Sequence, residues 1–234
     1  MSEAAPIEAR PRVQPVRPNP SLAGFAFLLL AATLALGLAV TFGFGHLAER
    51  SVLKSIAFRQ NVTNDLLIEA ARWVTWMGDA AQRSLVMVVF AVWLLWRKRP
   101  WAALVMVIVP PLAGAGSSLM KEAFARARPD VVPHLDVVTN LSFPSGHATN
   151  GMATYLLAAL LIAQTRRPLA AVIALSFATA IGASRVVLGV HWPSDVLGGW
   201  LWGAGFALLG LWIVQKQEAR SKGEAKSDPD VPAS

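Results

Sequence analysis

Two histidines and an aspartate are spaced for nucleophilic and acid–base chemistry in an otherwise apolar sequence. His191 and Asp195 are four residues apart, so a helix would place them on one face. A carboxylate bonded to Nδ1–H fixes the imidazole tautomer and leaves Nε2 with a free lone pair, which describes an activated nucleophile. His147 would lie in the first turn of another helix, where a charged imidazole could donate a proton. The alternative interpretation of His191 and Asp195 is a surface histidine with an incidental salt bridge.

Three basic residues indicate what would bind beside these histidines. Lys121 and Arg128 are seven residues apart, or two helical turns, and therefore share a face until Pro129 ends the helix. Arg185 precedes His191 by six residues and can bring a third cation to the same place. Lysine offers a point charge, and the planar fork of arginine matches phosphate oxygens. The set predicts a phosphate site.

The segment before His147 adds backbone donors to this predicted site. Ser145 can cap the helix, and Gly146 lets an anion approach the main chain. The N–H groups of the first helical turn and the helix dipole then form an anion cradle. The alternative is a plain helix cap without a ligand.

A metal site is the competing interpretation of the same residues. Two histidines and one aspartate can bind zinc or iron. Lys121, Arg128 and Arg185 would repel a cation, so we expect neither a metal nor any other cofactor.

The composition indicates that membrane helices position these residues. Of 234 residues, 55% are hydrophobic and 15% are charged, whereas soluble domains carry about 25% charged residues. The net charge of +7 is concentrated in short loops beside apolar runs, which favours a topological signal over nucleic-acid binding. The absence of cysteine excludes disulfides, thiolate chemistry and cysteine metal sites.

The apolar runs predict an all-α, polytopic membrane helix bundle with six transmembrane helices plus an outer interfacial amphipathic helix. The amphipathic helix is expected within residues 65–77, where apolar and charged residues alternate at helical spacing. Disordered cytoplasmic tails are predicted at residues 1–20 and 216–234, on either side of a six-span domain at 21–215. The six spans are predicted at about 22–44, 79–96, 101–120, 148–163, 169–183 and 194–214.

The distribution of lysine and arginine sets the expected orientation. With the amino terminus inside, the inner segments hold twelve of the 21 basic residues, and several of the others belong to the predicted site. The positive-inside rule therefore favours a protein of the plasma or inner membrane with both termini in the cytoplasm. All three polar segments then lie on the outer side.

Four other residues receive less specific interpretations. Arg126 points away from the predicted site by helical spacing, so we expect it to contact lipid headgroups. His134 fits a solvated loop or a headgroup contact. Gly199 and Gly203 indicate helix packing or a homo-oligomer contact through the sixth span.

The pattern Lys-x6-Arg-Pro, Pro-Ser-Gly-His and Ser-Arg-x5-His-x3-Asp resembles the three-part signature of the type 2 phosphatidic acid phosphatase family, whose superfamily includes vanadium-dependent haloperoxidases. The resemblance covers roughly residues 65–212. It implies a metal-independent lipid phosphatase in which His191 forms a phosphohistidine, His147 protonates the leaving oxygen and Asp195 orients His191. The residues that would hold the phosphoryl oxygens are Lys121, Arg128, Ser145, Gly146 and Arg185.

The function expected from this resemblance is hydrolysis of a lipid phosphate or diphosphate at the outer face of the membrane. The expected substrates are undecaprenyl diphosphate, phosphatidylglycerophosphate or phosphatidate, and the expected partners are this lipid and the bilayer, not nucleic acid. One alternative is lipid A dephosphorylation or phosphate transfer to another lipid. A second is a non-enzymatic lipid-binding or transport protein, which the two histidines disfavour because binding alone needs neither a nucleophile nor an acid. Haloperoxidase activity is disfavoured by a site so close to lipid.

Overall fold

A computed structural model describes residues 19–63, 65–164 and 168–227, and these residues contain helices and loops without strands. The all-α prediction is thus confirmed for the described residues. Between the helices Gly146–Gly151 and Leu157–Ala163, the backbone forms a π-helical turn at Met152–Leu156. The helices are α1 (Pro20–Thr41), α2 (His46–Thr63), α3 (Asp65–Trp76), α4 (Ala80–Trp96), α5 (Pro100–Phe124), α6 (Gly146–Gly151), α7 (Leu157–Ala163), α8 (Pro168–Val187) and α9 (Pro193–Ser227).

Within the part of the chain that the structure describes, four helices are long and apolar enough to cross a membrane: α1, α5, α8 and α9. A fifth crossing results if α3 and α4, which meet at an angle of 51°, are counted as one broken span. The fourth predicted span corresponds to α6, the π-helical turn and α7, which have 6, 5 and 7 residues and follow one another directly. A multi-pass membrane protein follows from these lengths, while the number six stays a prediction.

Local sequence explains where α1 begins and what it faces. The side chain of Asn19 accepts a hydrogen bond from Ser21 N at 3.1 Å, and Pro20 supplies the fixed φ that suits the first helical position. Phe27 and Leu28 are about 60% exposed. Large apolar side chains left outside the bundle in this way suit contact with lipid.

The long helix α9 packs against α1, α5 and α6 and organises the bundle. A Cβ added to Gly203 would overlap the backbone oxygen of Thr149, and one added to Gly199 would lie 2.7 Å from Ser145 O. These glycines therefore let the backbones of α9 and α6 approach closely. They face a helix of the same chain, which supports the helix-packing interpretation over an oligomer contact at this pair.

A polar cluster joins three connections at the end of the bundle opposite the histidines. Arg99 Nε donates to Glu218 Oε1 at 2.8 Å, and its Nη2 donates to Gln164 Oε1 at 2.5 Å. The α4–α5 turn, the end of α7 and the distal part of α9 are thereby held together. The histidines thus lie at one end of the helices and this cluster lies at the other, as expected for a chain that crosses a bilayer several times.

The structure differs from the predicted tails. Residues 216–227 continue α9, because Lys216, Glu218 and their neighbours are good helix formers and Glu218 pairs with Arg99. The remainder of that tail, residues 228–234, lies outside the described residues, as do residues 1–18 of the amino-terminal tail.

Candidate active site

His191 and Asp195 meet through the cap of α9. Pro193 occupies the first helical position, so Trp192 is the residue before the helix and Asp195 lies in the first turn. Asp195 Oδ2 accepts a hydrogen bond from Trp192 N at 2.9 Å, as an acidic residue does in a capping box. The predicted pairing is present, but His191 precedes the helix, and the reverse turn of the cap, not a shared helical face, brings the two together.

The imidazole of His191 is held on both nitrogens. Nδ1 lies 3.3 Å from Asp195 Oδ2, and Arg128 Nη1 lies 3.3 Å from Nε2. Since arginine only donates, Nε2 is the acceptor and Nδ1 carries the hydrogen. Burial lowers the pKa of His191 to about 3, although hydrogen bonding to Asp195 opposes that shift. The ring is therefore neutral, with a lone pair on Nε2.

A cavity of about 250 Å³ opens beside His191 and collects most of the predicted site residues. Its wall also contains Asp79 and loop residues 136–140, which the sequence motifs do not identify. Three cations in one small cavity give its wall a positive charge that suits an anion. The predicted residues that line it are Lys121, Arg128, Gly146, His147, Arg185 and His191.

Lys121 and Arg128 are fixed by carbonyl oxygens of the loop before α6. Lys121 Nζ donates to Leu141 O at 2.6 Å and to Ser142 O at 3.2 Å. Arg128 Nε donates to Asn140 O at 2.7 Å, and its Nη1 donates to Val190 O at 2.5 Å. Burial and the charge of Arg185 lower the pKa of Arg128 to about 10, so it keeps its charge at neutral pH.

Arg185, the third cation, is 2% exposed and is paired with a carboxylate of the loop. Its Nη1 donates to Asp136 Oδ2 at 2.6 Å and to Thr75 Oγ1 at 2.7 Å. Its Nε is buried and has no hydrogen-bond partner in the described part of the chain. Partial burial raises the pKa of Asp136, but the hydrogen bond and charge of Arg185 outweigh it, and the net shift is downward.

His147 lies in the first turn of α6, ahead of the predicted fourth span, and it also meets a carboxylate. Its Nε2 is 2.8 Å from Asp79 Oδ1, at the break between α3 and α4. Burial and then the charge of Arg185 lower the pKa of His147, while Asp79 raises it and the net shift is downward. The protonation of His147 therefore depends on which anions lie beside it.

Ser145 and Gly146 take different positions at the start of α6. Ser145 is fully buried and caps the helix, with its Oγ accepting from Ala148 N at 3.5 Å. It does not line the cavity, so the structure places it as a cap behind the site. Gly146 lines the cavity, and a Cβ built on it would meet no atom within 4 Å. Its side-chain position is thus open space through which an anion can reach the backbone.

Arg126 contradicts its predicted contact with lipid headgroups. Its side chain is 9% exposed, its Nη1 lies 2.5 Å from Asp195 Oδ1, and its Nη2 lies 2.6 Å from Glu49 Oε2. The spacing argument fails because α5 ends at Phe124 and Ala125 adopts a left-handed conformation, so the helical face defined by Lys121 does not extend to Arg126. Sequence reasoning missed Glu49 entirely, since nothing local to α2 marks it.

The remaining histidines lie outside the cavity wall. His134 Nε2 is 2.7 Å from Pro129 O within its own loop. His46 packs on Trp192 with ring centroids 5.1 Å apart. Among the described residues, no group of three or more His, Cys, Asp or Glu side chains is arranged to hold a metal ion.

Comparison with known proteins shows which family the chain belongs to. Residues 99–219 match the model of the PAP2 superfamily. Phosphatidylglycerophosphatase B of Bacillus subtilis is 28% identical over 180 residues, which is 74% of this chain and 83% of that protein. A lipid A 1-phosphatase of Rhizobium etli is 30% identical over 194 residues, covering 76% of this chain and 70% of that protein. Decaprenylphosphoryl-5-phosphoribose phosphatase of Mycobacterium tuberculosis is 34% identical over 175 residues, covering 68% of this chain and 89% of that protein.

The fold has a solved counterpart. The crystal structure of a transmembrane PAP2-type phosphatidylglycerolphosphate phosphatase from Bacillus subtilis superposes with a TM-score of 0.68, at 24% identity, over 88% of this chain and 98% of that one. At that identity the likeness concerns the fold alone. The match of the family model over more than half of the chain confirms the resemblance seen in the three motifs. This chain therefore belongs to the PAP2 superfamily, as a multi-pass, all-helical membrane protein whose relatives are lipid phosphatases.

Proposed function

We propose that this protein is a membrane lipid phosphatase that acts through a phosphohistidine on His191. The observation that carries the proposal is the position of Nε2 of His191, which is unprotonated and lies at a cavity shared with Lys121, Arg128 and Arg185. A nucleophile beside three cations suits a phosphoryl group, which brings its own negative charge. Pure binding would not need the His191–Asp195 pair.

In the proposed first step, the Nε2 lone pair attacks phosphorus and the bond to the leaving lipid oxygen breaks. His147 gives its proton to that oxygen. In the second step a water attacks the phosphohistidine, loses a proton to His147 and releases inorganic phosphate, which restores both histidines. Asp195 stabilises the positive charge that develops on the imidazole of His191.

Electrostatics account for most of the proposed rate enhancement, because the transition state spreads charge over the equatorial oxygens. Lys121, Arg128 and Arg185 stabilise that charge, together with backbone N–H groups near Gly146. Ser145 supports this backbone as the cap of α6. An incoming phosphate displaces Asp136 from Arg185. The negative charge of the phosphate also raises the pKa of His147, so that this histidine carries the proton that it donates.

The proposed substrates are lipid monophosphates or diphosphates, such as phosphatidylglycerophosphate, phosphatidate or undecaprenyl diphosphate. The named activities of the three relatives support a lipid phosphate as the common chemistry. The lipid A 1-phosphatase of Rhizobium etli keeps lipid A as a second candidate. Catalysis needs no metal in this proposal, since the fixed cations take the role that a metal ion would have.

We further infer six spans with both termini in the cytoplasm and the cavity at the outer face. The helical segment 148–163 and the broken α3–α4 pair supply the two crossings beyond α1, α5, α8 and α9. The Arg99–Glu218 cluster at the opposite end supports an inner face rich in basic residues. The amphipathic helix α3 then forms the outer part of this broken span, at the membrane interface.

The test is release of inorganic phosphate by the purified protein in detergent, across a panel of these lipids. His191→Ala should reduce turnover by at least about a thousandfold while the thermal unfolding midpoint stays close to the wild type. His134→Ala is the matched control, because that histidine does not line the cavity, and it should keep full activity. Retained activity in His191→Ala would exclude the nucleophile, and lipid binding without release on any substrate would favour the non-enzymatic alternative.

A further inference from the structure

Both carboxylate oxygens of Asp195 are engaged, and each has a separate partner set. Oδ2 accepts from Trp192 N at 2.9 Å and from Ser142 Oγ, and it faces His191 Nδ1. Oδ1 is bound by Arg126 Nη1 at 2.5 Å. Arg126 thus holds the oxygen that is not turned toward the imidazole.

A closed ring of hydrogen bonds fixes Arg126. Its Nη2 donates to Glu49 Oε2 at 2.6 Å, and its Nη1 donates to Ser194 Oγ at 2.6 Å. Ser194 in turn donates to Glu49 Oε1, from its N at 2.9 Å and from its Oγ at 2.6 Å. The guanidinium also lies over the ring of Trp192, at 5.5 Å from its centroid. Its position is therefore determined from α2 and from the start of α9.

The ion-pair chain Glu49–Arg126–Asp195 is buried, with side-chain exposures of 9%, 9% and 0%. The chain contains one cation and two carboxylates, and Asp195 is the carboxylate next to the imidazole. Loss of Arg126 would leave two buried carboxylates without the cation they share, which is costly in a low-dielectric site. Arg126 does not line the cavity, unlike Arg128 two residues later, so its effect on a substrate must pass through Asp195.

We propose that Arg126 and Glu49 are positioning residues for the nucleophile. Arg126 fixes the carboxylate of Asp195 against His191, and Glu49 fixes Arg126 and shares its positive charge. Because the guanidinium is divided between two carboxylates, Asp195 retains enough negative charge to stabilise the developing imidazolium. This proposal rests on the proposed function of His191, and it makes α2 part of the catalytic support.

The first test is steady-state kinetics of Arg126→Gln and Arg126→Lys on a short-chain phosphatidate. Because the cavity cations stay in place, KM and the inhibition constant of inorganic phosphate should change less than about threefold, while kcat of Arg126→Gln falls on the order of 10- to 100-fold. Arg126→Lys should recover part of the loss, since it keeps the charge. A raised KM at unchanged kcat, or no change at all, would overturn the proposal and leave Arg126 with a structural role alone.

The second test is coupling to Asp195. In an Asp195→Asn background, Arg126→Gln should add less than about a threefold further loss, because a residue that acts through Asp195 has little left to affect. Independent losses that multiply would show that Arg126 acts by another route. A purely structural role would lower the unfolding midpoint and kcat together and would leave no such coupling.

Glu49→Gln keeps the shape of the side chain and removes its charge. It therefore tests the positioning role if Arg126→Gln fails to fold. We expect kcat to fall about 3- to 10-fold with an unchanged KM, and an unchanged kcat would contradict the proposal. Arg72→Gln, which breaks the exposed pair with Glu69, is the matched control and should be neutral. His191→Ala measured in parallel separates the two proposals: an active His191→Ala rejects the nucleophile, whereas a dead His191→Ala beside an unaffected Arg126→Gln rejects only the positioning role.

Discussion

Nε2 of His147 lies 2.8 Å from Oδ1 of Asp79, which joins the proposed general acid to the break between α3 and α4. The carboxylate favours the protonated imidazole against burial and the charge of Arg185. This contact crosses 68 residues of sequence, and it suggests how the acid is kept available in a site dominated by cations.

Asp79→Asn should move the alkaline limb of the pH profile of kcat/KM to lower pH. His147 must carry a proton to act as the acid, and losing the carboxylate lowers its pKa, so the proton is lost at a lower pH. The measurement is kcat/KM against pH for both proteins. Asp130→Asn, at an exposed pair with Arg50, serves as control and should leave the profile in place. An unchanged alkaline limb in Asp79→Asn would show that Asp79 does not set the protonation of His147.

Asp136→Asn should strengthen binding of inorganic phosphate. Asp136 occupies Arg185 in the free site, and a partly exposed pair of this kind is worth up to about 1 kcal/mol, so the expected gain is roughly 2- to 5-fold. Product inhibition by phosphate measures the effect. Weaker inhibition would mean that Asp136 holds Arg185 in its binding position and does not compete with phosphate.

The buried, neutral His191 should make the folded protein less stable in acid. Its pKa is lowered from 6.5 to about 3, so only the unfolded chain binds a proton in that window. The stability is fully present above pH 6.5 and is lost progressively as the pH falls toward 3. Thermal unfolding across this range should show a smaller loss for His191→Asn than for the wild type, with His134→Asn as the matched control. Equal slopes for all three proteins would contradict the shifted pKa.

Activity should survive treatment with EDTA, because Lys121, Arg128 and Arg185 supply the positive charge. The assay compares phosphate release before chelation, after it and after adding back zinc or magnesium. If activity is lost on chelation and recovered by adding zinc, the histidines are metal ligands, and the metal interpretation of the site replaces the proposed one.

The outer placement of the cavity can be tested with single cysteines, since the chain has none of its own. Val137, in the loop beside the cavity, is 89% exposed. Asp79, in the cavity wall, precedes the amino end of α4, and Arg97 follows its carboxyl end, so Arg97 is expected at the other face of the membrane. A membrane-impermeant maleimide should label Val137→Cys in intact cells and Arg97→Cys only after permeabilisation. The reverse pattern would invert the inferred topology.

Gly203→Ala should destabilise the bundle by about 1–3 kcal/mol, because the added methyl group meets the backbone of α6 at Thr149. Gly24→Ala on α1 is the matched control, since a Cβ there meets nothing within 4 Å. Thermal unfolding in detergent measures both. An equal midpoint for the two variants would show that α9 and α6 can separate without cost.

The sequence alone predicted most of the residues that line the proposed site. The six predicted residues that line the cavity carry the three motifs, and the all-helical class follows from long apolar runs. Residue types and the order of the motifs are readable from the sequence. The helical face predicted to join Lys121 to Arg128 is wrong, because α5 ends at Phe124 and Arg128 lies in the following loop. The pairing of His191 with Asp195 was also predicted, although the cap of α9 and not a helical face produces it.

Tertiary structure decided everything that joins distant segments. Glu49 and Arg126 are 77 residues apart, and Asp136 and Arg185 are 49 apart, so no local pattern could pair them. The contact predicted for Arg126 from helical spacing is wrong because α5 ends two residues before it. The contacts of a side chain beyond a helix end depend on which distant segments pack against it. Residue types and local spacing thus determined which groups could react, and the packing of α2, α3 and the 130–143 loop around them decided which carboxylates they meet.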